Sequence, residues 1–295
     1  MPLRRIASLF AAVFFLTSLH ALAAIDPAWT TPQKPFRIAG NLYYVGSRDL
    51  ASYLIVTPAG DILINANLPS SPPQIRASVE ALGFHWKDVK ILLNSHAHFD
   101  HAGGSAEVLR ETGAKFMVMD SDVEPIESGG RIDFDRLPTY PPAHVDRILH
   151  DGDTVKLGGT VLTAHKTAGH TRGCTTWTMQ VKNSRGRTLN VVIVGGVAAL
   201  SEYRLVSTPG HPASYPGIAR DFEHTFVTLK ALPCDIFLGA HGSYFGLQEK
   251  LSKLPAEGPA VWIDPAGYRR FISESQQDFE QDLKAQEREA KAMPK

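Results

Sequence analysis

The sequence predicts an α/β chain folded as a four-layer αβ/βα sandwich, with two sheets packed face to face and helices outside. Three observations point there. Short apolar or alternating runs bounded by Gly and Pro read as strands, and amphipathic runs between them read as helices. The pattern occurs twice: each half opens on antiparallel strands, passes through a helix and ends on a strand that runs into a histidine. No stretch between the halves has linker composition, so residues 24–295 are expected to form one domain.

In the first half, Asn41 to Gly46, Ser52 to Val56 and Asp61 to Asn65 read as strands, the last two joined by the turn Pro58-Ala59-Gly60. Pro72 to Leu82 has Pro near its start and Gly83 past its end, as a helix does. Val89 to Asn94 is an apolar strand leading into a histidine-rich segment. Ala106 to Glu111 is helical and stops at Gly113, and Lys115 to Met119 is a strand. Ser128 to Asp146 is rich in Pro and Gly without a period, which marks a long loop and a candidate lid. In the second half, Thr160 to Ala164, Thr175 to Val181 and Leu189 to Val194 read as strands, with Asn183-Ser184-Arg185-Gly186 as a turn. A second irregular stretch, Ser201 to Ser214, precedes a helix over Ile218 to Leu232 and a strand over Asp235 to Leu238. A charged amphipathic helix covers Gly267 to Ala292.

Composition narrows the function classes. Lys+Arg and Asp+Glu both number 30, and no basic block is present, so a nucleic acid is not an expected partner. Arg4 and Arg5, the apolar run Ile6 to Leu16 broken only by Ser8, and Ala21-Leu22-Ala23 together read as a removable export signal over residues 1–23. The run is short for a membrane span and is interrupted by Thr17, Ser18 and His20. The mature chain is therefore expected to begin near Ala24 and to reach the periplasm of a Gram-negative cell, free of the membrane and monomeric. Cys174 and Cys234 are too few for a disulfide scaffold and lie in or beside apolar strands, so two buried free thiols are expected.

The chemistry concentrates in His96-Ala97-His98-Phe99-Asp100-His101, where four metal-ligand side chains occupy six residues. A regular strand alternates its side chains between two faces and could not aim all four at one point, so a tight loop is needed. Such a loop turns His96 and His98 toward one ion and Asp100 and His101 toward another, with Gly103 and Gly104 allowing the backbone to bend closely. Imidazole and carboxylate without thiolate suit catalytic zinc, which takes three protein ligands and keeps a position for water. Two Zn2+ ions need six ligands, and His170 in Ala168-Gly169-His170-Thr171 and His241 in Gly239-Ala240-His241-Gly242 are the best remaining candidates. His85, His144, His150, His165, His211 and His224 are read as ordinary surface or hydrogen-bonded histidines. Two ions sharing a water make hydroxide available near neutral pH and polarise the carbonyl it attacks, which is hydrolysis of an acyl bond. Asp100 would orient that hydroxide and pass its proton to the leaving group.

Over essentially the whole mature chain, these residues resemble the metallo-β-lactamase superfamily, and within it subclass B3. The stretches that carry the resemblance are Asn94 to Gly104, Ala168-Gly169-His170-Thr171 with Gly173-Cys174-Thr175-Thr176-Trp177, and Ala231-Leu232-Pro233-Cys234-Asp235. The resemblance implies the metallo-β-lactamase fold, with His96, His98 and His170 on a first zinc and Asp100, His101 and His241 on a second. Most other branches of the superfamily bridge their metals with an aspartate after an apolar strand, and here that position is Gly196, following Val191-Val192-Ile193-Val194-Gly195. The gap favours zinc-dependent hydrolysis of the β-lactam amide bond by a metal-bound hydroxide, with zinc stabilising the leaving nitrogen, and hence antibiotic resistance. Two departures stand out: many B3 enzymes carry serine at the Gly196 position, and some pair the Cys234 position with a cysteine where this chain has Gly267-Tyr268. The alternatives are an exported lactonase or thioesterase of the same superfamily and, in another class, a non-catalytic periplasmic zinc-binding protein.

Overall fold

A computed structural model describes residues 25–292, and the export segment read at residues 1–23 lies outside the described residues. After the one-turn helix α1 (Pro27–Thr30), an antiparallel meander is formed by β1 (Phe36–Ala39), β2 (Leu42–Tyr44), β3 (Tyr53–Thr57) and β4 (Gly60–Ile64). Helix α2 (Pro72–Ala81) then crosses over to β5 (Val89–Leu93), which runs parallel to β4; a parallel neighbour needs such a crossover. The short helices α3 (Phe99–Ala102) and α4 (Ser105–Thr112) lead to β6 (Lys115–Met119), α5 (Val123–Ser128) and β7 (Arg147–Leu149), completing a seven-stranded sheet in sequential order.

The second sheet follows the same plan. Strands β8 (Thr154–Leu157), β9 (Thr160–Lys166), β10 (Thr175–Lys182) and β11 (Thr188–Val194) are antiparallel neighbours. Helix α6 (Ile218–Ala231) crosses over to β12 (Ile236–Gly239), parallel to β11. Helices α7 (Leu247–Glu257) and α8 (Pro265–Ala292) follow.

Period-two alternation sorts the side chains into layers. Tyr53, Ile55, Ile62, Ile64, Ile91 and Leu93 join Trp177 and Met179 of the second sheet in one buried cluster. Their alternates Leu54, Leu63 and Leu92 join Ile75 and Val79 of α2 and Val108 of α4 in another. On the far side, Phe279 of α8 packs on Phe222 and Phe226 of α6, and Phe271 on Phe237 of β12. The layers are thus helix, sheet, sheet, helix, as the sequence predicts. Each fully buried Leu contributes about 1.5–3 kcal/mol relative to an exposed one.

Strands β1, β7 and β8 and helices α5 and α7 were not anticipated from the sequence. The three strands have three or four residues each, too few to display a period, and Ile148 in β7 is exposed. Both irregular stretches are present: no helix or strand lies between Ser128 and Arg147, and residues 201–214 hold only an isolated bridge between Thr208 and His211. Cys174 and Cys234 are both free, the first buried and the second only partly so. Among the described residues, no helix is long and apolar enough to cross a membrane.

Candidate metal centre

The histidine loop leaves the end of β5. His98 is extended (φ −71°, ψ 153°) and stands before the single turn of α3, which brings Asp100 and His101 back beside His96. The end of β4 supports the loop: Ser95 N donates to Asn65 Oδ1 (2.8 Å), and Ala66 N and Asn67 N donate to His101 O at 3.2 and 3.0 Å. Asn65 and Asn67 do this from the left-handed region (φ 65° and 57°), which Asn tolerates better than most residues. A Cβ on Gly103 would collide with Phe99 O and Pro69, and one on Gly104 with Ala66 O and Pro72, so the close approach of these segments requires glycine.

His170 lies in the connection from β9 to β10, and His241 just past β12. The structure brings all six sequence-predicted side chains together. The ring of His170 lies 4.7 Å from that of His96 and 4.5 Å from that of His98, and the ring of His241 lies 4.9 Å from that of His101. Ligand atoms of His96, His98 and His170 fall within 4.8 Å of one another, as do those of His96, Asp100 and His101. Asp100 Oδ2 is 3.1 Å from His101 Nε2 and 3.5 Å from His241 Nε2, and those two nitrogens are 3.2 Å apart. Ligands bonded at 2.0–2.1 Å around a tetrahedral zinc stand about 3.3 Å apart. The donor set therefore fits a metal, and a further sign is that His96 Nε2 is buried with no hydrogen-bond partner. None of the six histidines read as ordinary joins either set.

For four of the five histidines, the other ring nitrogen is engaged: His96 Nδ1 by Ser95 Oγ (3.1 Å), His98 Nε2 by Asp135 Oδ2 (2.8 Å), His170 Nδ1 by Ala198 O (2.7 Å) and His241 Nδ1 by Asp49 Oδ2 (2.8 Å). Such partners fix the ring and its tautomer. Burial lowers the pKa of His96 well below the usual value, helped by its histidine neighbours, and lowers that of His170 to about 3, so both stay neutral. Burial also lowers His101. For Asp100, burial pushes upward, but His101 and His241 outweigh it and hold the carboxyl ionised, well below its ordinary range. Burial pulls His98 and His241 down, yet Asp135 raises the first, and Asp100 with Asp49 raises the second to about 9.

Several supporting residues escape sequence reasoning. Asp122, 1% exposed, accepts from Ala97 N (2.9 Å), Thr171 Oγ1 (2.8 Å) and Gly173 N (2.7 Å), tying the His96–His101 loop to the His170 loop. Burial raises its pKa to about 6. Tyr203, from the irregular 201–214 stretch, donates to His170 O (2.8 Å). Only their places beside predicted loops could have flagged them. At Gly196 the surroundings explain the glycine: an added Cβ would overlap the His170 ring and lie 2.9 Å from its Cβ, so neither an aspartate nor a serine fits while His170 stays where it is.

The profile of the metallo-beta-lactamase superfamily matches residues 48–241. Among solved structures, the native FEZ-1 metallo-beta-lactamase from Legionella gormanii is 50% identical, covering 87% of this chain and 98% of that one with a TM-score of 0.84. BJP-1, a subclass B3 metallo-beta-lactamase of Bradyrhizobium japonicum, is 36% identical, covering 88% and 97% with a TM-score of 0.81. Among curated proteins, a hydroxyacylglutathione hydrolase of Polaromonas sp. is 35% identical over 122 residues, 41% of this chain. The match spans only 38% of that relative's length. On these grounds the chain belongs to the metallo-beta-lactamase superfamily, and its structural neighbours include metallo-beta-lactamases of subclass B3.

Proposed function

We propose that this chain is a two-zinc β-lactamase of the B3 kind, which hydrolyses the amide bond of a small-molecule β-lactam. His96, His98 and His170 hold one zinc, and Asp100, His101 and His241 hold the other. Two observations on the donors support the ligand sets: the 3.1–3.5 Å spacing of the Asp100, His101 and His241 atoms, and the unpartnered His96 Nε2 beside His98 and His170. The observation that carries the substrate is the 50% identity to the Legionella gormanii metallo-beta-lactamase across 98% of its length. Zinc in such a site lowers the pKa of water toward neutrality and polarises the carbonyl under attack.

The chain's own residues do the rest. Asp100 directs Oδ2 at His101 and His241, which leaves its second oxygen to accept a proton from the attacking water and return it to the departing nitrogen. Its depressed pKa keeps it ionised, the form that can accept a proton. No carboxylate stands at Gly196, so the site carries one negative charge fewer than a bridged one and admits the carboxylate of a β-lactam. In this reading residues 1–23 direct export to the periplasm, and 24–295 form a single domain, in keeping with the buried cluster shared by both sheets.

The test is hydrolysis of a chromogenic cephalosporin and a carbapenem by the purified mature chain, with and without a chelator. Activity abolished by chelation and restored by zinc is expected, and Asp100→Ala should lose most of it together with one zinc. No turnover of either drug at full zinc loading would overturn the reading; turnover of a thioester or lactone alone would select another branch of the superfamily.

A further inference from the structure

The partners of the metal-facing histidines differ in origin. Ser95 is adjacent to His96 in sequence, and Ala198 lies four residues past the end of β11. Asp135 instead comes from the irregular stretch 129–146, yet its side chain is only 3% exposed and its Oδ2 meets His98 Nε2 at 2.8 Å. Tyr203 OH, in the second irregular stretch, lies 3.2 Å from the same oxygen and 2.8 Å from His170 O, so its one proton is shared between the two acceptors. Phe134, the preceding residue, packs its ring 5.1 Å from that of Tyr203 and 4.9 Å from that of Tyr215. The two irregular stretches therefore interlock over a pair of residues from the proposed first zinc set.

We propose that Asp135 is a positioning residue for that zinc: by occupying His98 Nε2 it leaves Nδ1 as the nitrogen offered to the metal, and it makes the seating of the 129–146 loop a condition of tight binding. The inference rests on the two-zinc reading above. A carboxylate on the far nitrogen of a ligating histidine fixes the ring and raises its basicity, and losing such a partner typically weakens metal binding by about 10- to 100-fold. Linkage makes the coupling reciprocal, so zinc binding should also hold the loop in place.

The metal-free full-length mature protein is titrated with zinc against a chromophoric chelator. The wild type should take up two equivalents. Asp135→Ala should weaken one equivalent by roughly 10- to 100-fold and leave the other unchanged. Asp135→Asn, whose amide oxygen still accepts from Nε2–H, should stay much closer to wild type, and thermal melting of each variant verifies that it folds. Ring ¹⁵N correlations of the zinc-loaded wild type should place the His98 proton on Nε2, and hydrogen exchange across residues 129–146 should slow on zinc addition. Unchanged affinity of Asp135→Ala for both equivalents, equal losses in Asp135→Ala and Asp135→Asn, or a His98 proton on Nδ1 would each overturn the role of Asp135 while leaving the two-zinc reading intact. A folded wild type that binds fewer than two zinc ions would overturn that reading and this inference together.

Discussion

Replacing Asp122 with alanine should loosen both histidine loops at once. The carboxylate is buried and accepts from Ala97 N, Thr171 Oγ1 and Gly173 N, and all three donor residues are buried with it. Stranding three buried donors at 1–3 kcal/mol each gives a gross loss of about 3–9 kcal/mol. One term opposes this. Burial raises the Asp122 pKa to about 6, roughly two units above its ordinary value, so keeping it ionised above that pH costs about 3 kcal/mol that the variant no longer bears. Stranding wins, and the net loss centres near 3 kcal/mol. In a chain of this size that lowers the melting temperature by about 6–12 °C. Far-UV circular dichroism of the metal-free protein at pH 8 reads this without interference from zinc. Asp122→Asn is the control. Its carbonyl oxygen can still serve Ala97 and Thr171, which leaves only the Gly173 donor stranded while the charge is gone. It should therefore melt close to wild type. Equal melting of the two variants, or Asp122→Ala within 2 °C of wild type, would refute the accounting.

Three further outcomes follow from other parts of the molecule. Gly196→Ser should displace His170, lowering stability by about 1–3 kcal/mol and weakening one zinc equivalent in a chelator competition; wild-type melting and affinity would mean that the backbone yields instead. Asp61, 3% exposed, has its pKa raised by burial to about 6. Between its ordinary range and that value the folded chain binds more protons than the unfolded one, so this contribution to stability falls as pH rises from about 4 to 6 and is flat above. Asp61→Asn, which can keep the bond from Thr57 N, should melt higher than wild type at pH 8 by about 1–2 kcal/mol and match it near pH 4, and a pH-independent difference would exclude the cause. Zinc at a thousand times its dissociation constant should raise stability by about 4 kcal/mol per site, read as a melting shift that a chelator reverses.

The fold is legible where the chain repeats itself. The apolar runs of β3, β4 and β5 and the amphipathic length of α8 each give enough residues to be read, whereas β1, β7 and β8 do not. The site is legible for a different reason. Four ligand side chains within six residues need no tertiary information, and His170 and His241 announce themselves by the strands that precede them. Asp49, Asp122, Asp135 and Tyr203 carry no such mark. Each meets its histidine loop only through the tertiary fold, 192 residues separating Asp49 from His241 and 37 separating Asp135 from His98. Gly196 is a mixed case: the sequence exposes the missing carboxylate, but only the packing of the His170 ring explains why a glycine stands there.

The two halves of the fold also explain why the site belongs to neither. His96, His98, Asp100 and His101 leave the end of β5, which is parallel to β4; His241 leaves the end of β12, which is parallel to β11; and His170 comes from the same sheet as β12. Each proposed ligand set therefore draws on both sheets. At the His241 end the halves are joined through the backbone, where Ala51 N donates to Ala240 O (2.9 Å) and Leu50 bridges to His241. A separation of the sheets by even an ångström would carry His170 and His241 away from their partners, beyond the roughly 0.2 Å that metal–ligand distances tolerate. Zinc held by the proposed sets would tie one sheet to the other, and its binding energy would stabilise the sandwich as a whole rather than a single loop. The zinc-dependent rise in melting temperature should accordingly appear equally in tryptophan fluorescence, to which Trp177 between the sheets contributes, and in far-UV dichroism; a rise confined to one probe would mean that the metals hold only their own loops.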